Sequence, residues 1–463
     1  MKNSLFVISD LHLGGELGFQ ICSLDGQSRL ADFIRYVAAQ KNTDQDIHLV
    51  LNGDIVDYLA EKEFSSFTND DDAAREKLAK IINNTKLDWD SLRDFVSTGA
   101  RLTVMLGNHD VELSLPSARQ LLMETIGAGR VEFIYDNQAL VVGSVLIEHG
   151  NRYDKWNVVS HDALRAIRSA MSRGESPIKY IGPPGSQLVK DVMNPIKDKY
   201  PFVDLLKPEN SGMLPILAVL EPSAMKSVPK LAALAAQATE ARFDENGIPL
   251  DHQNIAAAAL RFPVKDEGLT LALTLAGMGD LQNIAATGEA KGLWERLKSA
   301  ANETARNIQL NMLLRALRHF AETARQAFNV DHEDQDYLLP ANAAAANGHK
   351  VIIYGHTHLA KRVHLEKSDA IYLNTGTWAD LMKVPDAILG NDDALARNQL
   401  EAFLDDLEHG RLEAWRCQVA TFARVDFDNE TLVGQDLYLY EGEGVVKPVP
   451  DGQLSLKNYT RTP

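Results

Sequence analysis

Five short apolar runs in this chain stop abruptly at polar residues, and this punctuation limits what the chain can fold into. Leu5-Phe6-Val7-Ile8 leads into Ser9-Asp10-Leu11-His12, and the nearly continuous run Ile47 to Leu51 leads into Asn52-Gly53-Asp54. Leu102 to Leu106 precedes Gly107-Asn108-His109-Asp110, and Val145-Leu146-Ile147 precedes Glu148-His149-Gly150-Asn151. Val351 to Tyr354 precedes Gly355-His356-Thr357-His358. Apolar runs of this length without alternation suit strands buried on both faces. Helical spacing over Leu30 to Ala39 and Ala73 to Ile82 separates the early runs, and Trp89 to Val96 adds a turn or two. Alternating strand and helix predicts an α/β layered core. In such sheets, sites gather at the carboxyl ends of the strands, and every one of the polar clusters falls there.

The clusters hold a metal-binding vocabulary: Asp10, His12, Asp54, Asn108, His149, His356 and His358. Seven mixed carboxylate, amide and imidazole ligands are too many for one open catalytic ion and suit two. Two cations close together repel unless an anion lies between them, and Asp54 is the candidate bridge. A water between the ions would feel both charges, lose a proton near neutral pH and become a nucleophile, a metal-bound hydroxide. Oxygen and nitrogen donors without thiolate suit Mn, Fe, Zn or Co, with availability deciding between them; Mn is the ion expected.

Taken together, Asp10-Leu11-His12, Gly53-Asp54-Ile55-Val56-Asp57, Gly107-Asn108-His109-Asp110, His149-Gly150 and Gly355-His356-Thr357-His358 resemble the calcineurin-like metallophosphoesterase family. The resemblance covers about residues 1 to 153 and 349 to 441. It implies a four-layer αββα sandwich and a dinuclear centre. By that resemblance, Asp10, His12, Asp54 and His358 hold one ion, and Asp54, Asn108, His149 and His356 hold the other. His109 matches the family histidine that stabilises the phosphoryl group and can protonate the leaving oxygen, and Asp57 matches the carboxylate that orients it. An imidazolium beside the leaving atom, kept charged by an anion, suits that role; a loop cap is the other reading of Asp57. Protein phosphatases of the family carry Arg where this chain has Tyr58, and Glu where it has Asp110, so that activity is disfavoured. The pattern, with the later Asn374-Thr375-Gly376-Thr377-Trp378, is nearer to the bacterial branch that includes UDP-2,3-diacylglucosamine diphosphatases. This chain departs from that branch in having His109 where Arg is typical. The expected activity is hydrolysis of a phosphodiester or pyrophosphate bond; alternatives are a nuclease, a protein phosphatase or a catalytically inactive scaffold.

The remaining sequence reads as accessory. Residues 1 to 153 are expected to form the first half of the core, 154 to 348 a large, mostly helical insertion acting as a cap, 349 to 445 the second half, and 446 to 463 a loose tail. Within the insertion, helical patterns cover Val158 to Met171, Ala224 to Ala241, Asn254 to Leu260 and Trp294 to Phe328, and Ala341 to Asn347 is read as the exit loop. In the second half, Lys361 to Leu365 and Ala370 to Leu373 read as strands, and Asp393 to Leu407 as a helix. Gln418 to Asp426 and Leu432 to Tyr440 form a hairpin around Phe427-Asp428-Asn429-Glu430. Arg152 and Lys155 are candidates for gripping a second anionic group of a small phosphorylated substrate, and Trp156 for plugging the root of the cap. The acidic runs Asn69 to Asp72 and His332 to Asp336 are read as solvated or helix-start charge.

The net charge of −17 disfavours broad nucleic-acid binding. Two cysteines, Cys22 and Cys417, make no disulfide framework. With neither a signal sequence nor a membrane-spanning run in the pattern, the expected location is the cytoplasm, with peripheral membrane contact through the insertion as an alternative.

Overall fold

The computed structural model describes residues 2–17, 19–61, 67–197, 199–208, 212–220, 303–319, 321–366 and 368–454. These residues group into two compact units. Those within residues 1–186, 328–380 and 418–456 form the first, and those within residues 187–327 and 381–417 the second.

Two sheets build the first unit. The seven-stranded sheet joins β1 (Lys2–Ile8), β2 (Gln45–Asn52), β3 (Arg101–Met105) and β4 (Arg130–Ile134) in parallel. Antiparallel strands follow β1 on its other side, β10 (Thr421–Asp428), β11 (Thr431–Gly442) and β12 (Val445–Pro448). The second sheet runs β5 (Leu140–Val142), β6 (Val145–Ile147), β7 (Val351–Tyr354), β9 (Ile371–Thr375) and β8 (Ala360–His364), with β6, β7 and β9 parallel. The five punctuated runs are thus β1, β2, β3, β6 and β7.

Burial on both faces explains why those runs lack alternation. In β1, Leu5 and Val7 face a core shared with Ile147, Val351, Ile353 and Leu373 of the second sheet, whereas Phe6 and Ile8 face the opposite way into a second core. That second core is covered by α1 (Leu24–Ala38), α2 (Asp71–Asn84), α3 (Lys86–Ser97), α4 (Pro116–Ile126) and α5 (His161–Ser172). In α1, Leu30, Phe33, Ile34 and Val37 make the buried stripe at helical spacing. On the far face of the second sheet, Tyr337 and Ala341 of the helix Gln335–Ala346 pack on Ile352, Tyr354 and Tyr372. The layers therefore read helix, sheet, sheet, helix, the α/β sandwich that the sequence led one to expect.

Several local readings change. The stretch Ala341 to Asn347, expected as a loop, is mostly helix, because Ala341 is a core residue and the helix accommodates Pro340. Val446 to Pro448 are not loose tail but strand, paired to Tyr438–Tyr440. The acidic run at α2 behaves as helix-start charge, with Asp70 accepting from the N–H of Ala73 at 3.0 Å. The second acidic run is not wholly solvated: Glu333 is buried and accepts from Tyr372 Oη–H at 2.8 Å. Strand β4 and helix α4 went unanticipated.

In the second unit the described helices include Leu214–Leu220, Glu303–His319, Ala321–Ala327 and Asp393–Glu408. Ala224 to Ala241 and Asn254 to Leu260 lie outside the described residues. The division into units assigns α5 and Gln335–Ala346 to the first unit, and Leu381 to Cys417 to the second. No helix among the described residues is long and apolar enough to cross a membrane.

Candidate metal centre

Each candidate ligand sits two to four residues beyond a strand, where the chain turns sharply. Asp10, His12, Asp54, His356 and His358 all have positive φ, between 47° and 71°. Side chains with a Cβ rarely adopt that region, and such strain persists where the surroundings over-determine it, commonly at functional sites. Here the surroundings are a lattice of backbone bonds between the turns. Asp10 N–H donates to the Gly53 carbonyl at 3.1 Å, and His12 N–H to the Asp54 carbonyl at 3.0 Å. His356 N–H donates to Asp10 Oδ2 at 2.9 Å, and His109 N–H to Asp54 Oδ1 at 2.8 Å. Ser9 Oγ donates to the same Asp10 oxygen.

These turns bring all seven candidate ligands into one neighbourhood. Asp10, His12 and His358 offer donor atoms to one another, and Asp54, His149 and His356 form a second group. His12 Nε2 lies 3.9 Å from both Asp10 Oδ1 and Asp54 Oδ2. It stands 3.0 Å from His358 Nε2, which is 3.5 Å from Asp10 Oδ1. His149 Nε2 lies 3.2 Å from Asp54 Oδ2 but out of hydrogen-bond alignment. Asn108 lies on the turn whose next residue, His109, bonds Asp54 Oδ1 through its N–H.

The donor set fits divalent cations on a further observation. Asp10 Oδ1, Asn108 Oδ1, His149 Nε2 and His356 Nδ1 are all buried without a hydrogen-bond partner. Buried polar atoms are nearly always satisfied, and leaving one bare costs about 1–3 kcal/mol. Such a concentration of bare donor atoms among the candidate ligands suits a cation cage, His149 giving up its Nε2 proton as an ion binds. The other ends of these side chains are held: His149 Nδ1 donates to the Asn52 carbonyl at 2.7 Å, which turns Nε2 inward.

Electrostatics agree. Burial opposes charge on Asp54, but the imidazoles of His149, His109 and His12 hold its carboxyl well below the ordinary range. Burial likewise opposes protonation of His149, yet Asp54 and Asp10 carry it up to about 10. The buried carboxylates thus draw positive charge into the pocket, carried as a proton on His149, and a bound cation would take over that role.

His109 falls in neither of these two groups but in a third, with His12 and Asp57. Its Nδ1 lies 3.1 Å from Asp57 Oδ1, and its side chain is 18% exposed, against 2% for His149 and 9% for His358. It is the imidazole of the cluster most open to a reactant. Asp57 Oδ1 also accepts from Leu59 N–H at 3.0 Å, a loop-cap contact. Burial opposes charge on Asp57, but His109 and His12 hold it far below the usual carboxylate range.

The rim candidates are placed differently. Arg152 is exposed and pairs with Glu148 Oε1 at 3.3 Å, and Lys155 is exposed. Trp156 is half-buried, and its carbonyl accepts from Gly185 N–H at 2.7 Å.

Sequence reasoning missed the residues that hold the turns. Asp110 is buried and links two of them, accepting from Gly107 N–H at 2.7 Å and Ile55 N–H at 2.8 Å. Burial and the neighbouring Asp54 push its pKa up to about 7. The signal was available: an acidic residue closing a Gly-Asn-His turn after a buried strand has unsatisfied N–H groups on both sides to serve.

Residues 4–205 match the family model described as calcineurin-like phosphoesterase. The calcineurin-like match takes in Asp10, His12, Asp54, Asp57, Asn108, His109 and His149, and the fold adds His356 and His358 from outside the matched segment. It supports a metal-dependent phosphoesterase in general terms. No curated protein matches the chain.

Proposed function

We propose that this calcineurin-like chain hydrolyses a phosphodiester or pyrophosphate bond of a small phosphorylated substrate at two divalent cations, Mn first among them. Asp10, His12, Asp54 and His358 would hold one ion, and Asp54, Asn108, His149 and His356 the other, with Asp54 common to both. The observation that carries this reading is the set of four buried, partnerless donor atoms on Asp10, Asn108, His149 and His356. Ions in such a cage supply Lewis acidity, which neutralises charge on phosphoryl oxygens and makes nearby water more acidic.

The chain's own groups supply positioning and the proton. Asp57 fixes Nδ1 of His109, leaving Nε2 to donate to the leaving oxygen. The strand-end turns hold the candidate ligands on a rigid base, so little reorganisation is needed during reaction. Among related activities, a protein phosphatase is disfavoured, because Tyr58 is buried and offers no guanidinium to the substrate. The Gly53 to Asp57 and Gly355 to His358 blocks favour the diphosphatase-like bacterial branch.

The test is a panel with Mn(II) added: p-nitrophenyl phosphate, bis-p-nitrophenyl phosphate, a nucleotide-sugar pyrophosphate and single-stranded DNA. Hydrolysis of the diester or the pyrophosphate, lost in Asp54→Asn together with bound metal, is expected. A chain that binds Mn(II) yet cleaves none of the panel would favour the inactive scaffold, and cleavage of DNA alone would favour the nuclease.

A further inference from the structure

The segment from Asn151 to Asn157 makes polar contacts that the reading above leaves unused. Asp154 Oδ2 lies 3.0 Å from His356 Nε2. The same oxygen accepts from Asn157 Nδ2 at 2.7 Å, and Asp154 Oδ1 accepts from Trp156 N–H at 2.8 Å. Asn157 also reaches the other way. Its Oδ1 accepts from Asn108 Nδ2 at 3.4 Å, and its carbonyl accepts from Asn151 Nδ2 at 2.9 Å. One loop therefore grips two side chains, Asn108 and His356, from strand ends far apart in sequence.

The grip determines which atoms those two side chains have left to offer. With Nε2–H of His356 donated to a carboxylate, the ring keeps its lone pair on Nδ1, the atom that is buried without a partner. With the amide nitrogen of Asn108 engaged, its Oδ1 is left in the same condition. Outer partners of this kind fix the tautomer and orientation of a ligand. Gly185 helps to lock the arrangement. Its N–H donates to the Trp156 carbonyl at 2.7 Å, and a Cβ at that position would collide with Asn157 Oδ1.

We propose, on the basis of the two-ion reading above, that Asp154 and Asn157 are positioning residues dedicated to one ion. By aiming His356 Nδ1 and Asn108 Oδ1, they control occupancy of the set Asp54, Asn108, His149 and His356, separately from the set Asp10, His12, Asp54 and His358. Removing them converts a two-ion protein into a one-ion protein.

The experiment titrates the full chain with Mn(II). It counts bound metal after gel filtration and records the electron paramagnetic resonance spectrum. The wild type is expected to bind two equivalents with an exchange-coupled signal. Asp154→Ala and Asn157→Ala are expected to hold the first equivalent as the wild type does, with an isolated Mn(II) signal, and to bind the second about 10- to 100-fold more weakly. Asp154→Asn, which retains an acceptor oxygen, should fall between. If Asp154→Ala fails to fold by circular dichroism, Asn157→Ala and Gly185→Ala carry the same comparison. Two tight equivalents in every folded variant would overturn the assignment alone, as would equal weakening of both. A wild type that binds a single Mn(II) would overturn the two-ion reading and the assignment with it.

Discussion

Gly53 and His149 occupy adjoining volumes: a Cβ on Gly53 would lie 2.5 Å from Nδ1 of His149. Gly53 also has a φ of +82°, so any side chain there is strained before it meets the imidazole. Gly53→Ala should displace His149 from its bond to the Asn52 carbonyl and reduce stability by about 2–5 kcal/mol. Thermal melts with and without Mn(II) check this. Because the ring moves, the variant should also lose most of the stabilisation that added metal gives the wild type. A variant with the wild-type melting temperature and metal response would contradict the packing described.

His109 should be separable from metal binding, since it belongs to neither proposed ligand set. Its Nδ1 is held by Asp57, and it is the most open of the imidazoles. His109→Ala should lower kcat by about 10²- to 10⁴-fold while bound metal stays at the wild-type level. Asp57→Asn should cost less than His109→Ala, since it loosens the ring without removing it. Loss of metal in His109→Ala would show that the division of roles is wrong.

Asp110 ties two turns together by accepting one N–H on each carboxyl oxygen. In Asp110→Asn, one N–H must face the new amide NH₂ rather than an oxygen. The expected cost is about 1–3 kcal/mol, with weaker retention of Mn(II) because both Asp54 and Asn108 lie on those turns. Chemical denaturation and metal counting on the same samples measure the two effects. A neutral variant would mean that ordered water replaces the lost acceptor.

Asp88 predicts a pH signature of stability. It is fully buried at the start of α3, neither carboxyl oxygen has a hydrogen-bond partner, and burial raises its pKa to about 8. The folded state therefore keeps this proton up to a pH near 8, whereas the unfolded chain gives it up near pH 4. Between these limits the folded state binds more protons, so this group costs stability as pH rises, and its full cost is reached above pH 8. Asp88→Asn removes the charge that must be buried. Its unfolding free energy should exceed the wild type's by a margin that grows from pH 5 to pH 9, with a ceiling of about 5 kcal/mol. A margin that does not change with pH would rule this out.

How much was legible depended on whether the information was local. The five strand-to-turn blocks were legible, because burial on both faces forces continuous apolar residues and a functional turn forces an abrupt polar stop. Strand β4 was not: Arg130, Glu132 and the half-buried residues between them carry no such run, since β4 lies at the sheet edge. The helix Gln335–Ala346 was partly misread because its proline and alanines suggest a loop, while the reason it is helical, the packing of Tyr337 and Ala341 on Ile352 and Tyr372, lies in another element.

The sequence by itself determined the chemistry: which donor types exist, that each follows a buried strand, and that their number suits two ions. Tertiary structure alone decided which atom of each donor is available. The choice between Nδ1 and Nε2 of His356, or between oxygen and nitrogen of Asn108, is made by Asp154 and Asn157, and for His149 by the carbonyl of Asn52. A residue's identity fixes its lone pairs, but only neighbours brought together by folding can engage some of them and leave the others bare.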